Sequence, residues 1–325
     1  MKLQVAVLYG GRSGEHEISL RSAESIIAAL DPQRYEIVRY CISREGMWDP
    51  HPILPEPGRN PGIDVVFPAL HGTFGEDGTV QGLLELADLA YVGPGVLASA
   101  AAMDKEVTKR LCVQAGLPVV DYAVIQGGVF DAASLETRFD YPMFVKPANL
   151  GSSVGISRAK DRQELILAIR DATQYDRKVI VEKAIIGQEI ECSVLGNDSP
   201  RASTPCEVLP SKDFYDYEDK YLLDKTQFRV PPDVPRARIE EIQRLAVACF
   251  EAVGCHGMSR VDFLIESSTG EIFINEINTI PGFTSISMYP KMWAHDGVAY
   301  PELLDRLIEL ALERHAEKRK LKFTR

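Results

Sequence analysis

An apolar, valine-rich run at residues 3–9 breaks at Gly10, Gly11 and Gly14, and a helix-period stretch follows over 19–30. Strand, glycine turn and helix in that order predict the opening of a nucleotide-binding-like α/β unit. Further strands are predicted at 35–42, 64–69 and 90–92, with a helix at 80–88 and a glycine-rich loop at 71–78. The proline-rich segment 50–61 can be neither a helix nor a central strand, because proline fixes φ and lacks an N–H. It is expected to run over the surface.

Near residue 100 the pattern changes. A helix is predicted over 104–116, closed by Gly116 with Pro118 beyond it. Strands at 123–125, 143–146, 155–157 and 178–182 and an amphipathic helix at 161–173 make a small α+β unit. A third region opens with a strand at 189–195. It continues through a polar, aromatic loop at 211–226, a long helix at 235–253, strands at 259–266 and 271–278, and a terminal helix at 300–317. Three domains follow: 1–103, 104–188 and 189–325. No internal repeat is present.

At 325 residues the chain exceeds one typical core, in keeping with this division. Its 45% hydrophobic and 26% charged residues are ordinary for a soluble globular protein and exclude a disordered one. A net charge of -11 argues against nucleic acid or an anionic membrane as partner. The basic run 314–325 reads as a solvated tail. Six scattered cysteines form no C-x-x-C pair and read as small core residues. The N-terminus reads as a strand, not a signal peptide, and no apolar stretch approaches the roughly 20 residues that span a bilayer. A reducing cytoplasm fits these features.

Three constellations carry chemistry. Arg260-Val261-Asp262-Phe263 and Asn275-Glu276-Ile277-Asn278 lie on strands joined by a short turn, 267–270. Alternation puts Arg260 and Asp262 on one face of their strand and Glu276 and Asn278 on one face of the next, so that the adjacent strands are expected to present all four together. Asp262, Glu276 and Asn278 supply hard oxygen donors suited to magnesium, and the arginine suits phosphate. The bland reading is an exposed polar hairpin. The glycine-proline loop after it, 278–284, offers backbone N–H groups to an oxyanion. Lys146 heads a small-residue loop, 146–155, that lets backbone donors approach phosphates or serves as a flexible turn. The Walker A order is absent. Glu182, Lys183 and Ile185, with Glu189, can bind an adenine edge and a ribose, or stand as a solvated Glu–Lys pair.

Lys105, Lys146, the glycine-serine loop, Glu182 to Ile185 and the Arg-x-Asp…Glu-x-Asn strands resemble, in this order, the ATP-grasp superfamily. Within it the chain is similar to D-alanine–D-alanine ligases over nearly its whole length. Residues 10–19 resemble their N-terminal signature, 70–78 their first-domain loop, and 278–284 with Ser285, Ser287 and Met288 their C-terminal signature. The resemblance implies a three-domain ATP-grasp architecture, α/β and α+β, with an N-terminal Rossmann-like parallel sheet. It implies that Lys105 and Lys146 contact the phosphates of ATP, that Glu182, Lys183 and Ile185 contact adenine, and that Glu189 holds the ribose. Asp262, Glu276 and Asn278 would hold two magnesium ions, manganese being an alternative. Arg260 and Gly282 would stabilise the tetrahedral intermediate. Glu15 would hold the first D-alanine's ammonium, with Ser152 and Tyr221 as its triad partners and Lys220 beside Tyr221 in a mobile loop. His71 would lie near the first substrate, and Ser287 and Met288 around the second.

The activity implied is ATP-dependent joining of two D-alanines for peptidoglycan, by a cytoplasmic homodimer with no nucleic-acid or membrane partner. Its rivals are a D-alanine–D-lactate ligase, another ATP-grasp carboxylate–amine ligase, and a non-catalytic nucleotide-binding regulator. An NAD-dependent enzyme is disfavoured because the opening turn is not spaced G-x-G-x-x-G.

Overall fold

The computed structural model describes residues 2–151, 154–209 and 227–323. Strand β1 (Leu3–Gly10) sends Val5 and Val7 to one face and Ala6 and Leu8 to the other, all fully buried. That is the pattern of a strand covered on both sides. It pairs in parallel with β2 (Tyr35–Ile42) and β4 (Val65–Pro68), and β4 pairs in parallel with β5 (Ala90–Tyr91). The two-residue β3 (Trp48–Asp49) adds to β2 antiparallel, giving the order β3-β2-β1-β4-β5. At the end of β1 only glycine fits. Gly10 has φ +88°, and a Cβ there would fall on the Ile42 carbonyl.

One face of this sheet is covered by the helix Thr79–Leu86, through Val80 and Leu84, and by the proline-rich segment. The helix has only about two turns, so the segment supplies the remaining cover. Ile53 and Ile63 are buried there, and Asn60 clamps Leu54 with hydrogen bonds of 2.8 and 2.9 Å. The segment 50–61 otherwise runs over the surface without helix or strand, as expected, and adds the buried anchors Ile53 and Asn60. The other face is covered by the helix His16–Ala29 and by the last helix of the chain, Tyr300–Lys318, through Leu303, Leu304, Leu307 and Ile308.

Residues 320–323 are exposed, as expected of a solvated tail, but the basic residues before them find partners. The Arg314 guanidinium lies 4.3 Å from the Tyr91 ring centroid and donates to the carbonyls of Gly93 (2.5 Å) and Tyr91 (3.2 Å). His315 and Arg319 each stand 3.6 Å from Asp88, and Lys318 pairs with Glu85. The acidic partners lie far away in sequence, which is why the run reads as unpartnered along the chain.

The second sheet is antiparallel, with β6 (Tyr122–Gln126), β7 (Met143–Pro147), β8 (Ser157–Ala159) and β9 (Lys178–Lys183) in the order β6-β9-β7-β8. The helices Ala132–Arg138 and Arg162–Tyr175 bury Leu135, Leu165 and Ile169 against it. β8 starts two residues later than expected because Gly155, at φ +70°, is not extended. The third sheet is also antiparallel: β10 (Gly187–Gly196), β11 (Arg201–Ala202), β12 (Cys206–Leu209), β13 (Gln227–Arg229), β14 (Gly257–Glu266) and β15 (Ile272–Asn278). Its order is β13-β12-β10-β14-β15, with β11 on β10. The helices Val96–Met103, Lys105–Gln114 and Arg236–Val253 pack on it around Ile190, Val194, Val261 and Phe263.

Asp104 caps Lys105–Gln114 by accepting from the N–H groups of Glu106 and Val107, and Gly116, one residue past the Ala115 cap, turns the chain at φ +72°. The helices Val96–Met103, Ala132–Arg138 and Met288–His295 and the strands β3, β11, β12 and β13 were not expected; all are short. No helix among the described residues is long and apolar enough to cross a membrane.

Replacing Arg314 with Ala removes two charge-assisted hydrogen bonds and a ring contact that join the last helix to the first sheet. A destabilisation of about 2 kcal/mol is expected, read as a lower midpoint of thermal unfolding; an unchanged midpoint would count against the clamp.

Candidate active site

The site begins with an irregularity in the β14–β15 ladder. Arg260 lies opposite Asn278 and Asp262 opposite Glu276, but Phe263 then pairs with Ile274, so Asn275 is an extra residue. Strict alternation would send Glu276 and Asn278 inward with Ile274. The bulge buries Ile274 and Ile277 together instead, at 1% and 4% exposure, and turns Glu276 and Asn278 to the face that carries Arg260 and Asp262. The displaced Asn275 accepts from Lys146 Nζ at 3.1 Å.

Arg260 grips Asp262 at two points, Nε to Oδ1 at 2.7 Å and Nη2 to Oδ2 at 2.6 Å. Its Nε also lies 3.5 Å from Glu191, which stands opposite Asp262 on β10. Burial works against the guanidinium charge, but Asp262 and Glu191 raise its pKa well above the ordinary arginine value. Lys105, from the first turn of its helix, donates to the Leu150 carbonyl at 2.7 Å and approaches Glu276 at 3.6 Å. The lysine thereby joins the glycine loop to the hairpin.

Glu182, on β9, is 2% exposed. Each of its oxygens meets a lysine: Oε1 lies 2.7 Å from Lys109 Nζ, and Oε2 lies 2.6 Å from Lys146 Nζ. Burial alone would raise this carboxyl; the two ammonium groups bring it down to about 2. Burial likewise opposes the charge of Lys146, but Glu182, Glu276 and Glu189 raise its pKa. Lys183 sends its half-exposed side chain to Glu266 at 3.0 Å, away from this cluster. Ile185 sits on the connection from β9 to β10, and Glu189 lies on β10 opposite Val208 and Leu264.

From the first sheet, Glu15 sits at the N-terminal cap of the helix His16–Ala29. A Cβ on Gly72 would come 2.5 Å from Glu15 Oε2, and one on Gly151 3.4 Å from it, so the carboxylate depends on two glycines for room. His71 is 4% exposed. Its Nδ1 faces the Ile280 carbonyl at 3.2 Å and Glu76 at 3.5 Å, and its Nε2 faces Ser22 Oγ at 2.9 Å. A carbonyl only accepts, so Nδ1 carries a proton. Burial works against the imidazolium, but Glu76 first and then Glu15 raise the His71 pKa. Ser22 also accepts from the N–H of Phe283 at 3.3 Å. The first-domain loop and the glycine-proline loop are thereby tied together. In that second loop Asn278 Oδ1 accepts from Ile280 N–H, and Ser287 Oγ from Thr284 N–H, at 3.2 and 3.0 Å. Ser287 heads the helix Met288–His295.

A cleft of about 210 Å³ gathers Glu15, His71, Lys105, Arg260, Glu276, Asn278, Gly282, Ser287 and Met288 along its walls. Lys146, Glu182 and Asp262 do not line it; Asp262 contacts the lining residue Arg260, Lys146 contacts the hairpin at Asn275, and Glu182 contacts Lys146. Ser152, Lys220 and Tyr221 lie outside the described residues. Reading the sequence missed Lys109, Glu191, Glu76 and Ser22. Lys109 follows Lys105 by four residues, and Glu191 follows Glu189 by two, so helical and strand periods carried a signal for both. Glu76 lies in the 70–78 loop that carries the family resemblance, but no role was read for it there.

The donor set is compatible with magnesium: two carboxylates and an amide oxygen on one face, beside the cations Arg260 and Lys105. No group of three or more His, Cys, Asp or Glu able to hold a metal is present among the described residues. A metal here would therefore rely on the amide and on nucleotide oxygens or waters.

Known proteins match the chain along its whole length. Residues 4–59 and 54–94 match the family model "D-ala D-ala ligase N-terminus", and 111–309 match "D-ala D-ala ligase C-terminus". The D-alanine–D-alanine ligase of Solibacter usitatus is 62% identical, with 100% of both chains covered. That of Heliobacterium modesticaldum is 47% identical, covering 98% of this chain and 97% of its own. The solved D-alanine-D-alanine ligase from Coxiella burnetii is 39% identical with a TM-score of 0.88, covering 98% of this chain and 96% of that one. The VanG D-Ala:D-Ser ligase from Enterococcus faecalis is 36% identical with a TM-score of 0.87, covering 96% and 100%. The chain belongs to the D-alanine–D-alanine ligase family.

Proposed function

We propose that this chain uses ATP to join two D-alanines into D-alanyl-D-alanine for peptidoglycan, through a D-alanyl phosphate. The observation that carries the reading is a single cleft. It joins an ammonium-binding carboxylate (Glu15), cations for phosphate and oxyanion (Lys105, Arg260), hard-oxygen metal donors, and the Gly282–Ser287 loop.

A carboxylate is a poor acyl donor because its oxygen leaves badly. Glu15 holds the first D-alanine by its ammonium, with His71 beside it, and the substrate carboxylate oxygen attacks the γ-phosphorus. The bond to the β-phosphate oxygen breaks and ADP departs. Lys105 and Lys146 offset the phosphate charge. Asp262, Glu276 and Asn278 would hold two magnesium ions, with manganese able to replace them; the metal supplies further charge neutralisation. Glu182, Lys183, Ile185 and Glu189 form the adenine and ribose side. The buried Glu182 carboxylate is engaged by lysines, and the Lys183 side chain is held at Glu266, so backbone groups are the better candidates for the base edge. The second D-alanine sits with its carboxylate at Ser287 and the helix N-terminus, beside Met288. Its amine attacks the acyl carbon, a C–N bond forms, the C–O bond to the phosphate breaks, and phosphate leaves with the former carboxylate oxygen and takes up the amine's proton. Arg260 and the Gly282 N–H face the oxyanion. Both His71 ring nitrogens are engaged, so His71 holds the loops and does not take the amine's proton. Ser152, Tyr221 and Lys220 complete the reading as the triad partners and loop lysine.

The division into 1–103, 104–188 and 189–325 is supported by the presence of three sheets, although β10 of the third sheet begins at Gly187, the helix Lys105–Gln114 packs on that sheet, and the last helix crosses back to the first. Six thiol cysteines suit a cytoplasmic setting, and the homodimer rests on the family.

The decisive assay mixes the protein with ATP, magnesium and D-alanine, alone and with D-serine or D-lactate, and measures phosphate release and product mass near neutral pH. D-alanyl-D-alanine is expected as the main product; a predominant serine or lactate adduct would shift the reading to the activity named for the Enterococcus neighbour or to an ester-forming ligase. Glu276→Gln is expected to lower kcat/KM by about 100-fold or more in a protein with an unchanged circular dichroism spectrum; normal turnover would remove Glu276 from the metal set. The raised His71 pKa sets a sign for pH. Stability from its pairing with Glu76 is fully present below the unfolded histidine value, about 6.5, and fades as pH rises through the higher folded value. The gap in unfolding midpoint between wild type and Glu76→Gln is therefore expected to shrink from pH 6 to pH 9, and a constant gap would contradict it.

A further inference from the structure

Lys109 is a buried cation that the reaction as outlined does not use. It is 2% exposed, lies one turn beyond Lys105 on the same helix, and has its Nζ 5.6 Å from the Tyr122 ring centroid. Tyr122 pairs with Glu182 across β6 and β9, so the ammonium is enclosed between its own helix and the inner strand. Its 2.7 Å contact with Glu182 Oε1 is an ion pair whose angles fall outside those of a hydrogen bond, so its effect is chiefly one of charge. A buried lysine at this depth is rare without such a partner.

Charge counting shows what this pair does to the neighbouring lysine. Glu182 carries one negative charge and touches two ammonium groups. With Lys109 absent, Glu182 would cancel the charge of Lys146, and the strand end would present a neutral pair to an incoming phosphate. With Lys109 present, the triad carries net +1. Lys146, at 12% side-chain exposure, is the more exposed of the two lysines and the one that also reaches the hairpin at Asn275. The burial cost of Glu182 is offset by both lysines, one on each carboxylate oxygen, so Lys109 relieves Lys146 of part of that task.

We propose that Lys109 is a positioning residue for the nucleotide. By sharing Glu182, it leaves Lys146 with more of its positive charge to offer the phosphates of ATP, beyond what Glu276 and Glu189 offset. The inference rests on the placement of ATP proposed above. Lys109 never touches the nucleotide; it sets the charge that Lys146 offers.

The test is a double-mutant cycle read by calorimetric titration of the full-length enzyme with magnesium ADP, and by steady-state KM values. Lys109→Met is expected to weaken ADP binding about tenfold, equivalent to about 1.4 kcal/mol, while the KM for D-alanine at saturating ATP changes less than about twofold. In a Glu182→Gln background, where no anion remains to be neutralised, the same change is expected to cost less than about threefold. Lys109→Arg is expected to restore most of the affinity. Equal losses in both backgrounds, or ADP affinity unchanged in Lys109→Met, would overturn the proposal. Should Lys109→Met fail to fold, Lys109→Gln takes its place in the same cycle, since it keeps an N–H donor and loses only the charge. Lys146→Met separates the two levels. If it leaves ADP binding unchanged, the nucleotide placement is wrong and the role of Lys109 falls with it; if it weakens binding and the cycle is additive, only the role of Lys109 is wrong.

Discussion

A single unpaired residue in one ladder decides the chemistry of the cleft. If β15 followed β14 without the offset after Asp262, Ile274, Glu276 and Asn278 would share a face, and a carboxylate and an amide would enter the apolar layer with Val261 and Phe263. An unpaired buried carboxylate there would cost several kcal/mol. With Asn275 extruded, the ladder keeps Ile274 and Ile277 in the core and gives Glu276 and Asn278 to the cleft. The same displacement supplies the acceptor for Lys146. Hairpin and second sheet are therefore locked by the residue that makes the site possible.

The rest of the molecule serves to bring other segments to that hairpin. The last helix covers the first sheet, with Arg314 on Tyr91 and Gly93, so the part of the chain carrying Glu15 and His71 is fixed to the part carrying Gly282 and Ser287. Ser22 accepts from Phe283, and His71 contacts the Ile280 carbonyl, repeating the same junction at the site itself. Lys105 makes the corresponding link between glycine loop and hairpin. His71 and Lys105 are thus backed by contacts between segments of different sheets, which fixes their distance from the others more closely than a loop could.

What could be read along the chain follows from the range of the interactions involved. The strands β1, β2, β9, β10, β14 and β15 and the long helices announce themselves through period-two or helical burial, and their ends through Asp104, Asp161 and Gly254. The Arg-x-Asp and Glu-x-Asn pairs were legible because each shares a strand face. The bulge was not legible, since nothing distinguishes Asn275 locally from Glu276 as the residue to be extruded. Short elements such as Val96–Met103 were missed because their small apolar residues, Ala98, Ala101 and Ala102, are chosen by neighbours and give no polar face. The proline segment and the basic C-terminus were both read too uniformly as exposed. Prolines gave no hint that Ile53 and Asn60 are buried, and clustered positive charge gave none of the partners Glu85 and Asp88. In both, the deciding partner lies on another element.

One electrostatic pattern unites the cleft. Each cation proposed to meet phosphate or oxyanion already rests on a carboxylate: Lys105 near Glu276, Lys146 on Glu182, Arg260 on Asp262. Bare, closely spaced positive charges would repel one another and bear the full burial cost. Pairing removes both penalties and holds the side chains in place. On the proposed reading, binding of magnesium and nucleotide would be an exchange of partners: Asp262 and Glu276 would hold the metal, and the cations would meet phosphate. Glu182 is the exception, because it faces no metal and cannot release Lys146 by that exchange. A second buried lysine on the same carboxylate is the arrangement that resolves this imbalance.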